Sequence, residues 1–347
     1  MISLLLPLQH TMHLNYELHT VDVKTAFLHA VLKETIYIRI PDGFDNASEL
    51  RKKGLVIKLL KCLYGLKQSP MEWNSELDSF IKSLGFNACE TEPCLYIHHQ
   101  RKQYLLIYVD DFIIATRTVS EMIILKKMIN TKYPLSDKGP INKFLNMDVT
   151  RNRITREIYI SVPSKIENVC NDERLHEEDF KLVRIPSRLP ATPNTHLKEN
   201  SDEEIDKPFK GILGQLLYIA ITCRPDIMTS VSLCGRHAMN PSMEHWNALL
   251  KIVSYLGSTR DLVLRLGGKF DEMKLTAFSD SDWAGDLAER KSRSGYLIQL
   301  NSSSVIWSSK LQTSVALSST EAEYVALSLT SRDVIWLRNL LKEMGFA

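Results

Sequence analysis

The stretch Tyr-Leu-Leu-Ile-Tyr-Val-Asp-Asp-Phe-Ile-Ile-Ala-Thr occupies residues 104–116 and decides how the chain is interpreted. Its two apolar runs, residues 104–108 and 112–116, predict a β-hairpin with Asp110 and Asp111 at its tip. Two unit charges about 4 Å apart repel by roughly 4 kcal/mol at an effective dielectric constant near 20, so this pair needs a counter-charge. A divalent cation would supply it, because Mg²⁺ prefers oxygen ligands. The alternative is an ordinary polar turn, in which Asp is a favoured residue.

A third acid, Asp22, lies at the end of a predicted strand in Val-Asp-Val, residues 21–23. A strand-end Asp together with an Asp-Asp hairpin is the layout of two-metal phosphoryl transfer, in which one ion activates the attacking oxygen and the other stabilises the leaving oxygen. Taken alone, Asp22 could equally be a helix N-cap, because Asp is a favoured capping residue. The combination with the hairpin favours the metal interpretation.

Three segments in a fixed order carry a resemblance to a known family. Val-Asp-Val-Lys-Thr-Ala-Phe-Leu at residues 21–28 resembles the first palm motif of copia-type retrotransposon reverse transcriptases. Leu-Tyr-Gly-Leu-Lys-Gln-Ser-Pro at 63–70 resembles their template- and nucleotide-positioning motif, and Tyr-Val-Asp-Asp at 108–111 resembles their metal-binding hairpin. Residues 211–246 resemble the connection region of the same Pol polyprotein, and residues 280–324 the start of its ribonuclease H domain.

The resemblance implies a role for each matched residue of the palm. Asp22, Asp110 and Asp111 would be the catalytic residues and would hold Mg²⁺ or Mn²⁺. Phe27 would pack under the sugar of the incoming nucleotide and exclude a 2′-hydroxyl group, where its ordinary alternative is a buried core phenylalanine. The implied partners are an RNA template, a DNA primer and deoxynucleoside triphosphates, with RNA-directed DNA polymerase activity.

Two further groups would contact the substrates. The nucleotide-binding group from the positioning motif consists of Gly65, Gln68, Ser69 and Pro70. Its alternative is a plain turn before a helix predicted for residues 71–84. The nucleic-acid-binding group, after the palm, consists of Arg151, Arg153 and Arg156. Such arginines would contact phosphates without recognising the base sequence. The alternative interpretation is that they form a solvated charged face.

Near the other end of the chain, Asp280 and Glu321 match the first two metal carboxylates of the family's ribonuclease H domain. Asp282 is an alternative to Asp280, and Glu321 also fits a capping box that starts at Ser318. Two further Asp residues of that domain have no match before Ala347, and only 21 residues precede Asp22, where the family has most of its fingers. We therefore expect a fragment with reduced or no polymerase activity and an inactive ribonuclease H part. The alternative is a catalytically silent nucleic-acid-binding remnant.

Composition sets the broad class. With 347 residues, 44% hydrophobic and 24% charged, the chain is globular rather than disordered, collagenous or a coiled-coil rod. The net charge of +2 neither favours nor excludes nucleic acid, because a local patch can lie within a neutral total. Six cysteines are too few for a disulfide scaffold and predict a reducing intracellular compartment, with a cytoplasmic particle or the nucleus implied by the resemblance. No apolar run approaches a membrane span, so no membrane partner is expected.

The predicted fold class is α+β. It consists of a polymerase palm, an antiparallel sheet with helices, with partial fingers and thumb, followed by a helical connection and a truncated ribonuclease H-like α/β domain. The predicted domains are 1–170 for the palm with remnant fingers and the start of the thumb, 171–210 for a proline-rich, acidic linker, 211–268 for the connection, and 269–347 for the incomplete ribonuclease H-like domain. One departure from the family is Asn146, where the usual Phe-Leu-Gly has a glycine that tolerates a positive φ more easily.

Overall fold

The computed structural model describes residues 11, 13–183, 205–270, 272–286 and 288–346. Within them the chain forms a mixed α/β structure of antiparallel sheets and helices, divided into two compact units. One unit is Tyr16–Ile141, and the other combines the chain from Asn142 onward with the residues ahead of Tyr16. No described helix has both the length and the apolar character that a membrane span requires.

A six-stranded antiparallel sheet organises the unit Tyr16–Ile141. The strands of this unit are β1 (Glu17–Val23), β2 (Tyr37–Ile38), β3 (Ile57–Lys58), β4 (Asn87–Ala88), β5 (Leu95–His98), β6 (Gln103–Tyr108), β7 (Asp111–Thr116) and β8 (Leu135–Pro140). The sheet order is β4-β5-β6-β7-β1-β8, and β2 pairs with β3 separately. The hairpin predicted around residues 104–116 is therefore confirmed as β6 and β7, and β1 lies beside it.

Two helices of this unit pack on one face of the sheet, with apolar residues that recur at helical spacing. The helical elements are a 3₁₀ turn (Ala26–His29), α1 (Ala47–Lys52), α2 (Ser69–Ser83) and α3 (Val119–Asn130). Trp73 and Leu77 of α2 and Met122 and Leu125 of α3 share one buried core with Val21 of β1. The predicted helix 71–84 is thus observed, and it begins earlier because Pro70 is tolerated in a first helical turn.

The second unit contains two further antiparallel sheets. One has the order β12-β11-β10-β9 and the other β13-β14-β15. The strands are β9 (Lys143–Phe144), β10 (Met147–Asn152), β11 (Glu157–Ser161), β12 (Leu264–Gly267), β13 (Leu275–Ser281), β14 (Arg293–Leu300) and β15 (Ser303–Leu311). The turn between β9 and β10 consists of Leu145 and Asn146, with φ of 47° and 64°. Both residues have the positive φ of a two-residue type I′ hairpin turn, which Asn accepts well, so Asn146 fits its position without the family's glycine.

The helices of the second unit form a block beside these sheets. They are α4 (Pro163–Cys170), α5 (Glu177–Val183), α6 (Phe209–Thr222), a 3₁₀ turn (Pro225–Ile227), α7 (Met228–Arg236), α8 (Met243–Ser258) and α9 (Ser319–Glu343). Trp246, Leu249, Leu250 and Val253 of α8 are fully buried, as expected for the central helix of the block. Helix α9 packs against β13 and β14.

The predicted boundaries at residues 170 and 211 both fall within the second compact unit. Strand β12 pairs with β11, so the residues around β11 share a sheet with the end of the predicted connection. Both described ends of the predicted linker 171–210 are folded. Asp179 of α5 is buried and accepts hydrogen bonds from the Trp246 indole at 2.8 Å and from Lys207 at 3.0 Å. Residues 184–204, which carry the prolines and acids that suggested a linker, lie outside the described residues.

Candidate active site

Asp22 and the hairpin acids are brought together by neighbouring strands. Asp22 of β1 is the register partner of Asp111, the first residue of β7. Side chains of directly opposed residues lie on the same face of a sheet, with Cβ atoms about 4.5–5.5 Å apart. Asp110 is in the turn immediately before Asp111, and the Val23 N–H donates to the Asp110 carbonyl at 2.8 Å. Residues far apart in the sequence therefore form one acidic group.

A lysine that the sequence analysis did not single out pairs with two acids of this group. Lys138 Nζ lies 3.0 Å from Asp111 Oδ1 and 3.4 Å from Asp22 Oδ2. The exposed fractions of the Asp22 and Asp111 side chains are 33% and 30%, so the pair is partly shielded from water. The ammonium group supplies the counter-charge that two opposed carboxylates require.

The local charges are visible in two pKa shifts. Burial raises the pKa of Asp110 above its ordinary value, and the negative charges of Asp22 and Asp111 raise it further. Burial alone would lower the pKa of Lys138, but the hydrogen bond and charge of Asp111 and the charge of Asp22 raise it above its ordinary value. Lys138 is therefore charged at neutral pH.

Within the described ranges, no group of three or more His, Cys, Asp or Glu side chains is arranged to hold a metal ion. Asp22 and Asp111 converge on one cation, the Lys138 ammonium. Two carboxylates that already share a positive centre fit a hard divalent cation, which prefers oxygen ligands.

The turn of the hairpin is held in an unusual conformation by a tryptophan. Val109, between β6 and β7, has a φ of +60°, in the left-handed region that β-branched residues rarely adopt. The indole N–H of Trp73 donates to the Val109 carbonyl at 2.8 Å. A cavity of about 310 Å³ is lined by Trp73, Val109, Tyr108 and Pro70, among others. Helix α2 therefore positions the acidic turn, a role that the sequence analysis missed.

Phe27 lies close to the predicted positioning motif. It belongs to the 3₁₀ turn that follows β1, is partly buried and packs against the core. The centroids of its ring and the Tyr64 ring are 4.7 Å apart. The structure therefore joins the first palm-like motif to the second through two aromatic rings, and both the gate and the core interpretations of Phe27 remain compatible with this position.

The residues of the second motif form a turn and a helix start. Gly65 has a φ of +93°, which glycine adopts most readily. The Ser69 hydroxyl is buried, donates to the Leu63 carbonyl at 2.6 Å and accepts from the Leu63 N–H at 3.1 Å. Gln68 donates a side-chain hydrogen bond to Glu34, and Pro70 lies in the first turn of α2. Ser69 therefore stabilises the turn itself.

The three predicted basic residues belong to the second unit, on the β10–β11 hairpin. Arg151 lies in β10, and Arg153 and Arg156 lie in the connecting turn. Arg151 donates to the Asn15 side chain at 3.1 Å, and Arg156 donates to the His13 carbonyl at 2.8 Å. At least two of these side chains thus bind neighbouring protein groups, in addition to any contact with phosphates.

The acids of the predicted ribonuclease H part are placed on two packed elements. Asp280 is exposed in β13, opposite Gly295, whereas Asp282 accepts a hydrogen bond from the Arg293 N–H. Glu321 lies in the first turn of α9. Its Oε2 accepts from the Leu317 N–H at 2.6 Å, and its own N–H donates to the Ser318 hydroxyl at 3.1 Å. Ser318 therefore caps the helix, but the Glu321 carboxylate binds the Leu317 N–H and not the Ser318 N–H that a capping box requires.

Comparison with known families gives the class of the protein. A family model described as reverse transcriptase (RNA-dependent DNA polymerase) matches residues 1–186, more than half of the chain. The chain belongs to this reverse transcriptase family, in its copia-type branch of transposon Pol polyproteins.

Individual relatives extend the likeness beyond the matched domain. A retrovirus-related Pol polyprotein from transposon TNT 1-94 of Nicotiana tabacum is 37% identical over 96% of this chain and 25% of its own length. One from transposon RE2 of Arabidopsis thaliana is 30% identical over 95% of this chain and 22% of its own length. A protein of Saccharomyces cerevisiae named for transposon Ty5-1 is 31% identical over 90% of this chain and 100% of its own length. The chain thus spans about a quarter of the two polyproteins.

Proposed function

We propose that this chain carries the polymerase palm of a copia-type Pol polyprotein and that Asp22, Asp110 and Asp111 form its nucleotidyl-transfer site. The observation that supports this most directly is the register pairing of Asp22 with Asp111, whose carboxylates share one cationic centre. Bound Mg²⁺ or Mn²⁺ would supply charge stabilisation and alignment for attack of a primer 3′-hydroxyl on the α-phosphate of a deoxynucleoside triphosphate. RNA template and DNA primer are the matching partners.

The remaining residues of this unit would position the substrates. Trp73 holds the Val109 carbonyl and so fixes the turn that carries Asp110. Phe27, supported by Tyr64, would form the wall under the sugar of the incoming nucleotide. Gly65, Gln68, Ser69 and Pro70 would shape the pocket beside it. In this proposal Ser69 acts through the turn that its hydroxyl closes, since that hydroxyl is buried and bonded to Leu63.

The second unit would hold the duplex and the ribonuclease H-like segment. Arg151, Arg153 and Arg156 would contribute phosphate contacts; their closeness on one hairpin supports this part of the proposal. For the ribonuclease H-like segment we infer no cleavage by this 347-residue chain. Two-metal hydrolysis needs carboxylates that fix both ions, and the Glu321 carboxylate is bonded to the Leu317 amide at a helix start.

A second candidate function is nucleic-acid binding without catalysis. The observation that favours it is that, among the described residues, no group of three acids or other metal-binding side chains is arranged around one ion. A polymerase and a silent binder share the same partners and differ in turnover. They also differ in the role of the acids. A polymerase needs them for nucleotide transfer, whereas a binder would use its basic residues for phosphate contacts.

Two measurements on one preparation separate the candidates. Binding of a DNA primer annealed to an RNA template is measured by fluorescence anisotropy, and extension of the same primer is followed with deoxynucleoside triphosphates and Mg²⁺ or Mn²⁺. Binding with extension supports the polymerase proposal. Binding without extension supports the silent binder, and absence of both contradicts the two candidates.

A further inference from the structure

Lys138 reaches the two carboxylates because β8 is irregular at this point. In the pairing of β1 with β8, Thr20 is opposite Gly139 and Val21 is opposite Asp137, so Lys138 has no register partner. An extra residue of this kind is a β-bulge, which bends a strand and redirects a side chain, and bulges are over-represented beside active sites. Gly139, the next residue, has a φ of +75°, which suits glycine. The backbone is thus shaped to present Lys138.

The bulge also separates Lys138 from the acid beside it in the sequence. Asp137 accepts a hydrogen bond from Lys126 of α3, with Nζ and Oδ1 2.6 Å apart. Lys126 also contacts His19 of β1 at 2.7 Å. Asp137 is therefore neutralised by the helix, while Lys138 is directed to the carboxylates of Asp22 and Asp111. The ammonium group lies between two carboxylate oxygen atoms.

We propose that Lys138 is a built-in counter-cation of this site, which offsets part of the negative charge of Asp22 and Asp111 until a divalent cation enters and displaces its ammonium group. The inference rests on the proposed function, because it takes the entering cation to be the metal that these carboxylates would hold. Two cations repel strongly at contact distance in a partly shielded site, so the ammonium and the metal exclude each other. Lys138 would thereby set the metal affinity of the site. It would also reduce the repulsion between the Asp22 and Asp111 carboxylates when no metal is bound.

The test is a titration of the chelator-stripped chain with Mn²⁺ alone, followed by the electron paramagnetic resonance signal of the free ion. Lys138→Met removes the competing charge and should bind Mn²⁺ about tenfold more tightly than the natural chain, an effect expected for a partly exposed charge pair. Lys138→Arg keeps the charge and should bind with the natural affinity. The matched control is Lys126→Met. It removes the nearby lysine that pairs with Asp137 and should leave the Mn²⁺ affinity unchanged.

A second readout uses thermal unfolding of the same variants. In chelator, Lys138→Met should melt at a lower temperature than the natural chain, because two opposed carboxylates lose their counter-charge. Saturating Mn²⁺ should raise its melting temperature by more than it raises that of the natural chain, since tighter binding to the folded state gives more stabilisation. Lys138→Gln serves the same comparison if the methionine variant does not fold.

Asp22→Asn separates failure of this inference from failure of the proposed function. If Mn²⁺ binding is lost in Asp22→Asn yet equally strong in Lys138→Met and the natural chain, the metal site stands and the counter-cation role is wrong. Weaker binding by Lys138→Met also overturns that role, because the lysine would then support the metal. If the natural chain and Asp22→Asn bind Mn²⁺ equally well, or neither binds it, both the metal site and the inference fail.

Discussion

The indole N–H of Trp73 and the carbonyl of Val109 are joined by a hydrogen bond of 2.8 Å, which ties helix α2 to the acidic turn of the β6–β7 hairpin. Val109 has a φ of +60°, a conformation that costs L-residues roughly 1–2 kcal/mol. Strained backbone of this kind persists where the surrounding structure holds it, and it clusters at functional sites. The hydrogen bond therefore connects a buried core residue to the position of Asp110.

Replacing Trp73 by phenylalanine should loosen this turn. Loss of one partly buried hydrogen bond should lower the free energy of unfolding by about 1 kcal/mol. The rate of primer extension should also fall, because the acids would no longer be held in place. Expressed as a free energy, this loss should exceed the loss in the free energy of unfolding. Chemical denaturation and single-nucleotide incorporation measure the two effects. Trp307→Phe is the control: its indole donates to the Ala220 carbonyl in the other unit, so extension should stay near the natural rate. Equal losses in both variants would contradict the role of Trp73.

Much of this hairpin could be predicted from the sequence, because its signals are local. Two apolar runs around two acids predict paired strands, and Trp73 and Leu77 at helical spacing predict α2. Joining Asp22 to this hairpin rests on the chemistry of two-metal sites and on the resemblance, because strand order is not a local property. Lys138 could not be predicted: its side chain reaches the acids through a bulge, and a bulge of one residue changes the face on which every following side chain lies.

The second unit was predicted less completely. Its helices and strands follow from periodicity, but the pairing of β11 with β12 joins segments that are distant in the sequence and were assigned to different domains. The sequence does not indicate helix α5, because α5 lies in a stretch whose prolines and acids suggest a linker. Its stability depends on tertiary contacts, such as the one between Asp179 and Trp246, which no local pattern shows.

Phe27→Ala should change the choice of sugar if the proposed gate exists. Removing the ring should raise incorporation of ribonucleotides relative to deoxynucleotides by about tenfold or more, the range expected when a pocket loses apolar bulk. The measurement is the ratio of kcat/KM values for the two nucleotides on one primed template. Tyr64→Phe retains an aromatic ring beside Phe27 and should keep the natural ratio. An unchanged ratio in Phe27→Ala would make Phe27 a core residue only.

Acid should destabilise the second unit through two stacked histidines. The ring centroids of His237 and His245 are 3.7 Å apart. Burial, the charge of His245 and the charge of Arg236 lower the pKa of His237 to about 4. The unfolded chain, with an ordinary histidine pKa near 6.5, then binds the proton more readily, so stability present above about pH 6.5 is lost as the pH falls toward about 4.

The corresponding variant is His237→Gln, compared by thermal unfolding at about pH 7.5 and about pH 4.5, on either side of the ordinary histidine pKa. Between these two pH values, its free energy of unfolding should fall by about 1 kcal/mol less than that of the natural chain. The figure is kept small because the His237 ring is partly exposed to solvent. His99→Gln changes an exposed histidine and should show the natural pH dependence. Identical acid sensitivity of His237→Gln and the natural chain would show that His237 does not determine it.

The ribonuclease H-like segment should not cleave RNA in an RNA–DNA hybrid. Asp280 and Glu321 are both exposed, but the Glu321 carboxylate is bonded to the Leu317 N–H at the start of α9. The assay uses a labelled hybrid with Mg²⁺ or Mn²⁺ and no nucleotides, and compares the natural chain with Asp280→Asn. Equal, background-level cleavage by the two is expected. Robust cleavage that Asp280→Asn abolishes would make the segment a working nuclease and refute this prediction.

The most direct test of the account is incorporation of a single deoxynucleotide into a DNA primer on an RNA template, measured for the natural chain, Asp111→Asn and Asp137→Asn. Asp111 shares the cationic centre with Asp22, whereas Asp137 pairs with Lys126 nearby, so Asp137→Asn is a matched acid control. The account predicts incorporation by the natural chain and by Asp137→Asn, with a loss of about a hundredfold or more in Asp111→Asn, as expected when a metal-binding carboxylate is removed. Incorporation that Asp111→Asn leaves unchanged, or no incorporation by a natural chain that binds the primed template, would contradict it.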